Sequence, residues 1–201
     1  MEQDKFSVTE AVFLVDRPLA EIQQAVDKKV IQPTVDNGSK RRRLFGRAEL
    51  RYLVMDREIG DALSGDGKRR LYEEVSKLPA RAATVKFGPV AIDLKYGDAK
   101  LRERIKMLKG IRNAMHMKNG EPFLKGTTIP AYQVAALLKE MSVDDILEDY
   151  PSLKRADVEV AASFALVYPK LGRPYPSKTL KRGISELLKA GVFDDPVDDG
   201  A

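Results

Sequence analysis

The chain has 201 residues, of which 43% are hydrophobic, 32% charged and 7% aromatic, the composition of a folded protein with its own core rather than of a disordered or fibrous chain. It has no cysteine, which excludes disulfides, thiolate metal sites, iron–sulfur clusters and cysteine nucleophiles, and its one histidine, His116, excludes two-histidine metal sites. No apolar run approaches the ~18 residues of a membrane span, and the start of the chain is polar, so the expectation is a cytoplasmic protein without membrane contact.

Charge is unevenly spread. Residues 1–60 carry +1, residues 61–118 carry +7 and residues 119–201 carry −3. A basic front suits nucleic acid and an acidic back suits something else, although a solvated basic face would have the same sum.

Ser7-Val8-Thr9-Glu10 is a capping box that opens a short helix ending near Val15. Asp16-Arg17-Pro18 then supplies a turn and an early proline for a second helix, with Leu19, Ile22, Val26 and Val30 expected on its inner side. Arg17, Gln24 and Lys28 fall on the opposite side, where arginine suits guanine edges and glutamine suits adenine. Val35-Asp36-Asn37-Gly38 is a hairpin signal of type I′, and the following arm carries Lys40, Arg41, Arg42 and Arg43, which suit phosphates and supply affinity without sequence information. A helix with Leu50, Leu53, Val54 and Met55 then closes the unit at about Leu63.

Residues 64–69 read as a loop, and Leu71, Val75 and Leu78 as a short helix stopped by Pro79. Residues 83–96 read as extended, with a bend at Gly88-Pro89, and residues 98–117 as one basic helix. In the last third, Pro130 opens a helix over about 131–141, and Ser142-Val143-Asp144-Asp145 caps a second that Pro151 stops. A third helix runs from about Arg155 to Tyr168, which makes a trihelical bundle. After Gly172-Arg173-Pro174-Tyr175-Pro176 comes a helix with Leu180, Ile184, Leu187 and Leu188 on one face, and residues 194–201 form an acidic end. The expected fold is therefore α+β and predominantly α. Its expected parts are a winged helix-turn-helix at 1–63, a connector and dimerisation segment at 64–111, the trihelical domain at 112–170 and a C-terminal helix with its tail at 171–201.

No catalytic constellation is expected, and no cofactor or metal. Asp144, Asp145, Glu148 and Asp149 have i, i+4 spacing, but two of them sit in a first helical turn, where carboxylates stabilise the helix dipole. The chain is not expected to be an enzyme, since acid–base partners are missing.

Phe6-Ser7-Val8-Thr9-Glu10-Ala11, the Asp16-Arg17-Pro18-Leu19 turn and the Arg43-Leu44-Phe45 junction resemble the amino-terminal domain of MerR-like and excisionase-like regulators, whose turn usually has a glycine that is missing here. Gly120-Glu121-Pro122-Phe123-Leu124-Lys125-Gly126-Thr127-Thr128-Ile129-Pro130, with Ile146-Leu147-Glu148-Asp149-Tyr150-Pro151-Ser152-Leu153, resembles a small bacterial helical domain once described only as a domain of unknown function and now grouped with VapB-type antitoxins. The pair of resemblances implies an antitoxin that represses its own promoter DNA, neutralises a PIN-domain ribonuclease toxin and forms a homodimer, the dimer contact expected at the strands of residues 83–92. The alternative is a free-standing winged helix-turn-helix transcription regulator whose back half only dimerises. Arg173, with Lys178, Lys181 and Arg182, is expected to face the toxin's carboxylates, while Leu180, Ile184, Leu187 and Leu188 either anchor the helix in an apolar groove of the toxin or pack on the chain's own trihelical bundle.

Overall fold

The computed structural model describes residues 5–38 and 41–189. Among these residues it has nine α-helices and three small antiparallel hairpins, an α+β protein that is mostly helical. The chain divides into two compact units, residues 1–110 and 111–201.

Unit 1 opens with α1 (Val8–Val15) and α2 (Leu19–Asp27). The Ser7 hydroxyl accepts from the Glu10 amide, and the Glu10 carboxylate accepts from the Ser7 amide at 2.8 Å, so the capping box forms. Asp16 ends α1 at φ 55°, in the left-handed region that a short polar side chain tolerates better than most. In α2, Ile22 is fully buried, but Leu19, expected inside, is exposed.

Strands β1 (Thr34–Asp36) and β2 (Arg42–Leu44) form the wing in the register Thr34↔Leu44, Val35↔Arg43 and Asp36↔Arg42. Five residues separate Asp36 from its partner Arg42, too many for the expected two-residue type I′ turn, and neither Asn37 nor Gly38 has a positive φ. Phe6 and Phe45 exchange backbone hydrogen bonds, which joins the start of the chain to the base of the wing. Next come α3 (Arg47–Ile59), a 3₁₀ turn (Gly60–Ala62) and α4 (Gly65–Lys77). The segment expected as a loop at 64–69 is instead mostly the first turn and a half of α4, because the Ser64 hydroxyl caps it by accepting from the Gly67 amide at 3.1 Å.

The expected extended segment is a hairpin of β3 (Thr84–Phe87) and β4 (Val90–Asp93) around Gly88-Pro89. It leads into α5 (Lys95–Asn113), which crosses from unit 1 into unit 2. Arg51 of α3 and Asp98 of α5 form a buried ion pair, with side chains 3% and 8% exposed. Arg51 Nε donates to Asp98 Oδ1 at 2.7 Å, and Nη2 donates to Oδ2 and to the carbonyls of Ala80 and Ala82. Gly97 permits this approach of α5 to α3, since a Cβ there would meet Val54 at 2.9 Å.

Unit 2 begins with β5 (Met115–Lys118) and β6 (Glu121–Leu124), paired around Asn119-Gly120 at φ 52° and 77°. The expected helix to Met117 therefore ends at Asn113, and residues 115–118 pair with the next strand because Asn-Gly favours the left-handed pair that a tight hairpin needs. Helices α6 (Ala131–Leu137), α7 (Val143–Asp149) and α8 (Arg155–Val167) pack around Val134, Leu137, Ile146, Val158 and Ala161. The first helix stops four residues short of expectation. A final helix, α9 (Leu180–Lys189), follows the Pro/Gly loop, and the acidic end at 194–201 lies outside the described residues.

Breaking the Arg51–Asp98 pair leaves an uncompensated buried arginine. Asp98→Asn should lower the unfolding free energy of the protein by about 3 to 5 kcal/mol in urea titration. Burial pushes the Asp98 carboxyl up, but hydrogen bonding and charge from Arg51 and Arg47 outweigh it and hold the group below the usual carboxylate range. Its contribution is thus fully present above that range and is lost as pH falls through and below about 4, so the native protein should lose stability there faster than Asp98→Asn does. Parallel pH profiles would contradict this.

Candidate nucleic-acid interface and C-terminal docking face

Three of the residues expected to contact DNA along the wing are described, and all three are exposed: Arg41, Arg42 and Arg43. Arg43 Nη1 lies 3.6 Å from the carboxylate of Asp27 at the end of α2, while no ion pair engages Arg41 or Arg42 among the described residues. Lys40 lies outside the described residues. Gln24 is exposed on α2 and Lys28 is exposed at its C-cap, one helical turn further on.

Arg17 is placed differently. Its Nη1 donates to Asp56 Oδ2 at 2.8 Å and to the Leu53 carbonyl at 3.2 Å, and its Nε donates to Glu21 at 2.8 Å. Asp56 also accepts from the Tyr52 hydroxyl at 2.9 Å. Burial raises the Asp56 carboxyl, but hydrogen bonds from Arg17 and Tyr52 and the charge of Lys68 overcome it and hold the group low. Arg17 therefore fastens the helix-turn-helix to α3, and the exposed polar face of α2 rests on Gln24 and Lys28.

In unit 2 the tail is clamped to α7 by charge. Thr179 donates to Asp149 at 2.7 Å, and Arg182 reaches Asp149 at 3.1 Å, Asp145 at 2.9 Å and Glu148 at 3.4 Å. Lys181 lies 3.3 Å from Asp149, and Lys178 pairs with Glu186 at 2.7 Å and Glu140 at 3.5 Å. The acidic residues of α7 thus hold cationic side chains, and among the described residues no group of three or more metal-type ligands is placed to hold a metal ion. Sequence reading gave these cations to an outside partner because nothing local ties position 182 to position 149.

With that side of α9 turned inward, its apolar side faces out. Leu180 is 83% exposed, Ile184 46% and Leu188 59%, while the side chain of Leu187 lies outside the described residues. This reverses the usual arrangement of an amphipathic helix. Arg173 is exposed and has no ion pair among the described residues; it lines a cleft of about 570 Å³ with Lys139, Glu140, Pro174, Tyr175 and Ser177. Tyr175 donates to Glu121 at 2.7 Å, and burial with that contact pushes its hydroxyl up to about 12. His116, exposed on β5, stacks on Phe123 of β6 at 5.5 Å.

Removing the clamp should free α9 without unfolding the bundle. Arg182→Ala is expected to speed amide exchange over residues 180–189 and leave α6 to α8 unchanged. The hydrogen bond from Thr179, together with Arg182 and Lys181, holds the Asp149 carboxyl below its ordinary range, so the clamp persists at neutral pH and opens as pH falls below about 4. Unaltered exchange over 180–189 in the variant would contradict the clamp.

No helix among the described residues is long and apolar enough to cross a membrane. No curated protein and no solved structure matches the chain. Residues 115–165, which hold β5, β6, α6, α7 and most of α8, match the family described as Protein of unknown function (DUF433).

Proposed function

We propose that the chain is an antitoxin-type repressor. On this reading unit 1 binds promoter DNA through α2 and the wing, and unit 2 neutralises a PIN-domain ribonuclease toxin through α9. The observation that carries the reading is α9 itself: its cationic side is bound to the protein's own carboxylates, and its apolar stripe is presented outward. Three exposed apolar side chains on one short helix suit insertion into a partner's apolar groove. Arg173, whose planar fork pairs with two carboxylate oxygens at once, is the arginine left to meet an acidic nuclease site, whereas Lys178, Lys181 and Arg182 act by presenting the helix.

In unit 1, Gln24 and Lys28 read bases while Arg41, Arg42 and Arg43 hold phosphates, which supplies affinity independent of sequence. Gln24→Ala should cost about 1 to 3 kcal/mol on the operator and little on random DNA. Because one winged unit covers little DNA, the repressor acts as a homodimer, and light scattering at micromolar concentration should give twice the chain mass. A monomer there would remove the dimer from the proposal.

The toxin arm is tested with Leu180→Ser/Ile184→Ser/Leu188→Ser and with a chain ending at Lys170. Both are expected to keep DNA binding and to stop protecting RNA from a PIN-domain nuclease encoded beside this chain. Protection at an unchanged dose would place the inhibitory surface elsewhere.

A further inference from the structure

Helix α5 carries a basic face that neither the wing nor the core uses. At 100° per residue, Lys95, Arg102 and Lys106 fall within about 40° of one another on the side away from Leu101 and Leu108, which are buried. All three are exposed, and no ion pair engages them among the described residues. The helix has two carboxylates within this stretch. Asp98 is turned inward and consumed by Arg51, and Glu103 lies some 60° or more off the cationic line. The acid one turn from Arg102 is Asp98, which Arg51 and Arg47 engage, and the acid one turn from Lys106 is Glu103, with no ion pair between them among the described residues.

The row lies beside Arg47, which follows the wing closely in the chain. Strand β2 ends at Leu44, and α3 begins three residues later at Arg47, whose guanidinium lies 3.4 Å from Asp98. Lys95 and Arg102 are the i−3 and i+4 neighbours of Asp98, so they sit beside the point that Arg47 touches. Arg47, Lys95 and Arg102 therefore gather around Asp98, and Lys106 continues the row one turn further along α5. Lys95 to Arg102 spans about 10.5 Å of helix, and Arg102 to Lys106 about 6 Å. Duplex DNA offers a phosphate every ~3.4 Å of axis on each strand, so a row with these spacings finds phosphates without a fixed register.

We propose that the outward face of α5, through Lys95, Arg102 and Lys106, is a second phosphate-contact surface for duplex DNA, beside Arg47 at the start of α3. It rests on the reading of unit 1 as a DNA-binding unit and extends its footprint beyond the wing. The contacts are to backbone only, so they add affinity and salt dependence without sequence preference.

The test uses the full chain and a fluorescent random-sequence duplex of about 30 base pairs, with binding followed by anisotropy across a salt series. Lys95→Ala/Arg102→Ala/Lys106→Ala is expected to flatten the slope of log affinity against log salt by roughly 0.9 per lost contact, between two and three units in all. Lys118→Ala/Lys125→Ala/Lys154→Ala removes the same charge from unit 2 and should leave the slope alone. Far-UV circular dichroism checks the helix, and glutamine at the three α5 positions replaces alanine if the first variant does not fold. An α5 variant with the native slope, or a unit 2 control that flattens it equally, overturns the inference. If Arg41→Ala/Arg42→Ala/Arg43→Ala alone flattens the slope, DNA binding stands and the α5 surface falls; if the native chain binds no duplex, both fall.

Discussion

The buried contact between Arg51 and Asp98 sets the form of unit 1. A guanidinium and a carboxylate taken out of water cost several kcal/mol each, and such a pair persists only when geometry and further hydrogen bonds satisfy both. Here the arginine fork meets both carboxylate oxygens and the carbonyls of Pro79, Ala80 and Ala82, so one side chain fixes α3, α5 and the turn before β3. Arg104 adds a second tie, donating to the Phe13 carbonyl at 2.5 Å and linking α5 to α1. Residues 64–110 are therefore part of the winged body, and the engagement of Asp98 by Arg51 leaves the neighbouring Lys95 and Arg102 on α5 without that carboxylate as a partner.

Unit 2 applies the same physics with the opposite result. Carboxylates on α7 hold the cationic side of α9, and Leu180, Ile184 and Leu188 are turned to solvent. The arrangement costs exposed apolar area, about 25 cal/mol per Å², which a partner's groove would recover. Thr179 strengthens it by holding Asp149 while accepting from the Arg182 amide at 3.4 Å, so the start of the helix and its clamp are built from one residue.

Local signals in the sequence were legible where they act locally. Ser7 and Ser142 mark helix starts because their hydroxyls meet amides three residues on, and Gly88-Pro89 marks its hairpin. The Asn119-Gly120 hairpin carried an equally local signal, hidden by the charged periodicity of the helix before it. Partnerships across long separations were not legible. Arg17 and Asp56 are 39 residues apart, Arg51 and Asp98 47, and Arg182 and Asp149 33. Periodicity identifies a polar face, but it does not say whether that face meets water, DNA or a carboxylate of the same chain, which is why Arg17 and Arg182 read as outward-facing.

On the proposed function, unit 1 meets duplex DNA through α2, the wing and α5, while α9 meets a protein partner. Hydrogen exchange of the full chain, read by mass spectrometry with and without a saturating random duplex, tests it most directly. The account predicts slowed exchange in peptides covering residues 24–29, 41–47 and 95–106, and no change over residues 176–189. Slowed exchange over 176–189, or none anywhere in residues 1–110, would contradict it.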